Sequence, residues 1–402
     1  MEYHDSERAQ ELAEKARAFV DEVVIPKERE LTGGTKASEE TIAELREEAK
    51  RRDLYAPQIS EEYGGMGIAF RDVLPVFEEA GRSLLAPPAL RVDAPDEGNM
   101  HTLELAGTEA QKDEWLRPLV DGEYTSAFSM TEPRQGGGAD PKMIQTTAEK
   151  DGDEWVLNGH KWWITNGSEA DFFITLARTD MDSHPYEGCS LIIVPEGTDG
   201  LDVERDIPHI GDDITSMVHS EVRYDDVRVP EENLLGGEGE GFTIAQKRLA
   251  PARLTHCMRY SGMAGRALEV AKAYTSDREA FGGPVADWQG PRFDIAEAET
   301  NLHAARVMVR HAARQVTEGK QARTEISMCK FFTANVTQNA IDTALQLCGA
   351  SGVGKDLPIA DFYENVRQFR IVDGPDEVHK RVIARAAFDD VDESELERLP
   401  TF

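Results

Sequence analysis

Over the first 120 residues, apolar positions recur every three or four residues. Leu12, Ala16, Phe19 and Val20 form one stripe, and Ile42, Leu45 and Ala49 another. That period lays one face of a helix on a core. A break at Thr32-Gly-Gly-Thr35 separates two helices, and a glycine-rich turn runs from Ser60 to Gly67. The helical pattern resumes over 73–80 until Ala86-Pro-Pro88 stops it. Two more helices are expected at about 99–105 and 108–119. From Tyr124 to about Leu235 the period drops to two. Short β-branched runs at 144–149, 154–157, 172–177, 190–194, 203–207 and 220–229 are separated by Gly, Pro, Asp and Asn clusters. From Glu238 the helical period returns over 241–275, 288–317, 324–348 and 375–387. The expected fold class is α+β and multidomain. It comprises an N-terminal helical domain (1–122), a central antiparallel, barrel-like β domain (123–236) and a C-terminal four-helix bundle (237–402).

Two pieces of the β region hold the candidate chemistry. Phe128-Ser-Met-Thr-Glu-Pro133 reads as a strand that ends at the proline, ahead of Gly136-Gly137-Gly138. Lys161-Trp-Trp-Ile-Thr-Asn-Gly167 reads as an aromatic strand closed by an Asn-Gly turn. Together they present two threonines, Thr131 and Thr165, near an indole of Trp162 or Trp163. A flat ring system with polar edges needs such a wall. An ordinary β domain with core aromatics fits the pattern as well.

The pair Met-Thr-Glu-Pro and Trp-Ile-Thr-Asn-Gly, in this order and about thirty residues apart, resembles the flavin-binding segment of acyl-CoA dehydrogenases. Glu62-Tyr-Gly-Gly-Met-Gly67, Asp277-Arg-Glu-Ala-Phe-Gly282, the 344–349 stretch and Asp373-Gly374 are similar to further family segments, in register over nearly the whole chain. The resemblance implies bound FAD, with Phe128, Met130, Thr131, Trp163 and Thr165 lining the flavin ring. Trp163 would be the stacking indole and Thr165 the hydroxyl donor toward N5. Arg278, Phe281, Gln289, Gln346 and Gly349 match positions that contact the pyrophosphate and adenine side from a neighbouring subunit. Arg253 matches a substrate-side residue.

In the family a carboxylate removes the proton alpha to the thioester carbonyl. The corresponding stretch here is Arg370-Ile-Val-Asp-Gly-Pro-Asp-Glu-Val-His379, with Asp373 in the base's place. The other seat used in the family, just before an arginine of the first long C-terminal helix, holds Ala252. A turn or helix-cap role ahead of Pro375 is the competing reading of Asp373. One branch of the family shares both Asp-Gly-Pro-Asp-Glu-Val-His and the stretch Arg248-Leu-Ala-Pro-Ala-Arg-Leu-Thr-His-Cys-Met-Arg259. This chain departs from commoner members at Ala250, Ala280, Pro375 and the glycine triplet, where a serine usually helps hold CoA. His256-Cys257 reads as helix interior, and no metal site is expected.

Lys and Arg total 44 against 76 Asp and Glu, a formal charge of −32. Acidic residues are spread along the chain, including Glu61-Glu62 and Asp212-Asp213, so the charge belongs to the surface. That balance disfavours nucleic acid as a partner and fits a protein from a high-salt cytoplasm. Four cysteines without Cys-x-x-Cys spacing suggest reduced thiols. No apolar run of membrane-spanning length occurs, and the charged first residues do not resemble a secretory leader. The function expected from the resemblance is desaturation of an acyl-CoA, with electrons passed to an electron-transferring flavoprotein, in a homotetramer or dimer. The alternatives are an oxidase of the same fold, acting on acyl-CoA or nitroalkanes, and a non-catalytic flavoprotein.

Overall fold

The computed structural model describes residues 4–31, 36–211, 215, 217–389, 391–392 and 394–399. The expected break at Thr32–Thr35 and the acidic pair Asp212-Asp213 lie outside the described residues. Ser6 caps helix α1 (Glu7–Phe19) by accepting the Ala9 N–H at 3.1 Å. The helix buries Ala9, Leu12, Ala16 and Phe19, the stripe its sequence period demands. Helix α2 (Glu39–Arg51) is capped in the same way by Ser38. Helices α3 (Phe70–Ala80) and α4 (Asp96–Ala106) follow in the same region.

Eight strands follow: β1 (Ser126–Ser129), β2 (Thr147–Asp151), β3 (Glu154–Thr165), β4 (Phe172–Arg178), β5 (Cys189–Pro195), β6 (Leu201–Asp206), β7 (His219–Pro230) and β8 (Leu234–Leu235). Their order is β6-β7-β3-β2-β4-β5-β8, with β1 also paired to β4. The sheet does not close, so the barrel-like expectation is too strong. Nor is it wholly antiparallel, because β1 runs parallel to β4. Among the described residues the two arms are joined where Thr147 of β2 meets Arg178 of β4. Both faces of β4 and β5 are covered. Ile174, Leu176, Leu191 and Ile193 join the core shared with the helices, while Phe173, Ala177, Ile192 and Val194 fill the opposite face. This explains their continuous apolar runs.

The C-terminal region holds α5 (Gly241–Asp277), α6 (Gln289–Thr317), α7 (Arg323–Cys348), α8 (Ile359–Gln368) and α9 (Asp376–Asp389). Helix α8 was not expected from the period. Helices α3 and α5 approach backbone to backbone. A Cβ at Gly81 would lie 1.8 Å from the Arg259 carbonyl oxygen, and one at Gly262 1.8 Å from that of Glu78. Only glycine permits that contact. Among the described residues no helix is long and apolar enough to cross a membrane.

Candidate active site

Helices α4 and α5, the ends of β1 and β3, and the loop before α9 enclose a cleft of about 2030 Å³. Phe128, Met130, Thr131, Trp163, Thr165, Arg253 and Asp373 all line it. The other five expected cofactor residues are elsewhere. Arg278, Gln289, Gln346 and Gly349 are exposed, and Phe281 is 95% exposed with φ +55°.

The wall of the cleft is built by a bulge and a buried ion pair. Pairing of β3 with β7 slips between Lys161 and Ile164, so Trp162 and Trp163 leave the regular register. Trp163 takes φ +55° and remains 43% exposed on the cleft. Bulges re-aim side chains in this manner. The Trp162 N–H donates to the Thr131 carbonyl at 3.0 Å, and the Thr131 hydroxyl donates to the Trp162 carbonyl at 2.6 Å. Beneath them the fully buried Lys161 ammonium donates to the carbonyls of Met130 and Leu176 and to Glu132 Oε1, all within 2.9 Å. Thr165 Oγ1 lies 3.0 Å from His219 Nδ1. Burial, with His209 adjacent, brings the His219 ring down to about 4, so it is neutral.

Also lining the cleft, Asp373 occupies the left-handed region at φ +56° and is followed by Gly374 at +101°. Two cations clamp this loop through its carbonyls. Arg253 Nε donates to the Asp373 carbonyl at 2.9 Å, and Lys330 Nζ donates to those of Gly374 (3.0 Å) and Phe369. The Asp373 carboxylate caps no helix: Oδ2 is buried without a hydrogen-bond partner, 3.2 Å from His256 Nδ1. Burial alone would push this carboxyl up. His256, Arg253, Arg248 and Lys330 outweigh it and hold the group below the usual carboxylate range. Burial, with Arg259 nearby, brings His256 down to about 4.

Several of these groups escaped the sequence reading. His256 is not plain helix interior but touches the candidate base. Its signal was the spacing: three residues after Arg253, it shares that residue's helical face. Arg248 is buried over the Phe128 ring at 4.2 Å. Glu97 is a further carboxylate on the cleft wall, pushed up by burial against the opposing pull of Arg259 and Arg248. Nothing in a lone Asp-Glu-Gly of α4 marks it in advance. Arg253 lines the cleft as expected, yet its Nε is already committed to the loop carbonyl.

The residues around the cleft fit a flavin. An aromatic face, two hydroxyls, a neutral imidazole and the Asp373 carboxylate line one cleft. Family models for the acyl-CoA dehydrogenase N-terminal, middle and C-terminal domains match residues 6–123, 127–227 and 239–388. A probable acyl-CoA dehydrogenase of Mycobacterium tuberculosis, FadE2, is 41% identical over 350 residues, 86% of this chain and 85% of that protein. Acyl-CoA dehydrogenase family member 11 of Gallus gallus is 36% identical over 95% of this chain, which spans about half (51%) of that relative. Butyryl-CoA dehydrogenase of Megasphaera elsdenii superposes with a TM-score of 0.86 at 30% identity, covering 96% of this chain and 100% of that one. PigA, solved with FAD and proline, superposes at 0.85 with 25% identity, covering 96% of this chain and 99% of that one. The cofactor is FAD. Three matched domains in order, and relatives alike over nearly the full length, place the chain in the acyl-CoA dehydrogenase family.

Proposed function

We propose that this protein is an FAD-dependent acyl-CoA dehydrogenase in which Asp373 removes the proton alpha to the thioester carbonyl, giving a trans-2-enoyl-CoA. The observation that supports this reading is the carboxylate itself. It lines the same cleft as Trp163 and Thr165, is held below the usual carboxylate range by the cations around it, and has a buried oxygen that no donor satisfies. The cations around it keep the carboxylate in the form that can take up a proton, and its unsatisfied oxygen is not tied up by a donor. FAD, when bound, supplies the acceptor for the beta hydride. The protein's part is positioning. Phe128, Met130 and Trp163 offer the apolar wall, Thr131 and Thr165 the polar edge, and the clamped loop brings Asp373 to the same cleft.

Arg278, Phe281, Gln289, Gln346 and Gly349 lie outside the cleft on exposed surface, as expected if they serve a neighbouring subunit's cofactor in a dimer or tetramer. The domain division at 1–122, 123–236 and 237–402 remains our working division. The charge of −32 supports a protein adapted to high salt, and an electron-transferring flavoprotein is the proposed acceptor.

The test is an anaerobic titration of the FAD-loaded protein, in high salt, with straight-chain acyl-CoA thioesters of four to sixteen carbons. Bleaching of the flavin band by some chain length, together with slow reoxidation by oxygen, supports the dehydrogenase. Fast reoxidation supports the oxidase instead, and a flavin that no thioester bleaches overturns the reading.

A further inference from the structure

We infer that His219 is a positioning residue that lets the Thr165 hydroxyl serve as donor or as acceptor toward the flavin edge, by exchanging roles with it in their shared hydrogen bond. The inference rests on the reading of Thr165 as the hydroxyl beside flavin N5. Thr165 of β3 and His219 of β7 are cross-strand partners, so their side chains leave the same face of the sheet. Thr165 Oγ1 and His219 Nδ1 are 3.0 Å apart, and both residues line the cleft. The His219 residue is only 7% exposed, and the Trp163 and His209 rings pack on its imidazole with centroids 5.7 and 4.6 Å away. The side chain of Gln368, also on the cleft, hydrogen-bonds the ring as well.

The proton count gives this pair its use. A group beside N5 faces an acceptor before the beta hydride arrives and an N–H donor afterwards. A hydroxyl carries one proton, so it meets both needs only if its other neighbour also changes role. A neutral imidazole does so by carrying its single proton on either nitrogen. With the proton on Nδ1, His219 donates to Thr165 and leaves the hydroxyl proton for N5. With the proton on Nε2, Nδ1 accepts the hydroxyl proton and leaves the Thr165 oxygen to accept. The Gln368 amide holds both a donor and an acceptor, and by turning over it matches either tautomer. A protonated ring would only donate, and burial with His209 alongside keeps His219 neutral.

FAD-loaded wild type, His219→Phe, Thr165→Val and the double variant are compared by anaerobic redox titration against a reference dye, which needs no thioester. In His219→Phe the Thr165 proton has no acceptor once N5 carries hydrogen, so the reduced form loses more than the oxidised one. The equilibrium constant for two-electron reduction should fall about 10-fold, which lowers the midpoint by roughly 30 mV. The double variant should match Thr165→Val, because without the hydroxyl the imidazole has nothing to act through. In histidine-labelled wild type, 15N NMR should show the two His219 nitrogens exchanging character between the oxidised and reduced protein, the signals being assigned by their absence from His219→Phe. An unchanged midpoint in His219→Phe, a double variant shifted beyond Thr165→Val, or one tautomer in both states overturns the role. A Thr165→Val midpoint equal to wild type takes the hydroxyl away from N5 and overturns the inference together with the reading it rests on.

Discussion

Glu132, which is buried, and Asp373, which is half-buried, are both carboxylates near a buried lysine, and they are treated in opposite ways. Glu132 accepts from Lys161 at 2.9 Å and from the N–H groups of Gly137, Gln145 and Thr146 at 3.2, 2.7 and 2.9 Å. Burial would raise its carboxyl, but Lys161 and these donors hold it below its ordinary value. Asp373 has cations around it but no donor on Oδ2, because Arg253 and Lys330 spend their hydrogen bonds on the loop carbonyls. The first carboxylate is saturated and serves as a structural pin. The second is electrostatically anchored, yet chemically open to a ligand. The lysines explain the difference, since one bonds the carboxylate and the other the backbone that presents it.

The largest effect expected from this contrast is at Asp373. Asp373→Asn should slow flavin reduction by acyl-CoA by up to about 10⁴-fold while leaving the visible spectrum of the bound flavin and the thermal midpoint near wild type. A variant that stays active would place Asp373 with Glu132 among structural groups. Lys161→Met should do the reverse in kind. It leaves Glu132 buried and unpaired, at a cost of about 3–5 kcal/mol of stability, read by denaturant unfolding in high salt. Because linkage favours the ionised Glu132, its contribution is present above the ordinary carboxylate range and is lost as pH falls through its lowered folded value.

How much of this was legible in the sequence follows the same division. The helical stripe of α1 and the alternation of the strands were readable because a core imposes a fixed period on them. Asp373 and the cleft wall were readable by resemblance, since their motifs are contiguous. Helix α8 and the open sheet were not, because both depend on which strands and helices meet. His256, Arg248 and Glu97 come from three separate turns of helix, and only the packing of α4 against α5 and the loop of α9 puts them at one place. Trp163 shows the limit in miniature. Its identity was legible, but the register slip that turns it into the cleft was not.

A smaller effect sharpens the role of the second lysine. Lys330 is buried, and burial lowers its ammonium to about 8. Lys330→Met would release the carbonyls of Phe369 and Gly374. A displacement of the loop by roughly 1 Å should then cost about 10²-fold in the rate of flavin reduction. Stability should fall less than in Lys161→Met, since no carboxylate loses a hydrogen bond and Asp373 keeps its arginines. Equal losses of stability in the two variants would erase the distinction between the lysines.

The smallest effect concerns a third carboxylate, which tests whether an unsatisfied oxygen alone marks a catalytic group. Glu79 Oε2 is buried without a hydrogen bond, and Arg17 and Arg82 approach it only to 3.6 and 3.5 Å. It does not line the cleft. Burial and the neighbouring Glu78 raise its carboxyl to about 7. Since the folded value lies above the unfolded one, this group's contribution to stability is complete below the ordinary glutamate range and is lost as pH rises through about 7. From pH 6 to 8 the wild type should lose roughly 1 kcal/mol through this site. Glu79→Gln should flatten that part of the profile with no change in flavin reduction. A wild-type slope retained in Glu79→Gln would assign the titration to another group. A slower flavin reduction would mean that the cleft is not what separates Asp373 from the other carboxylates.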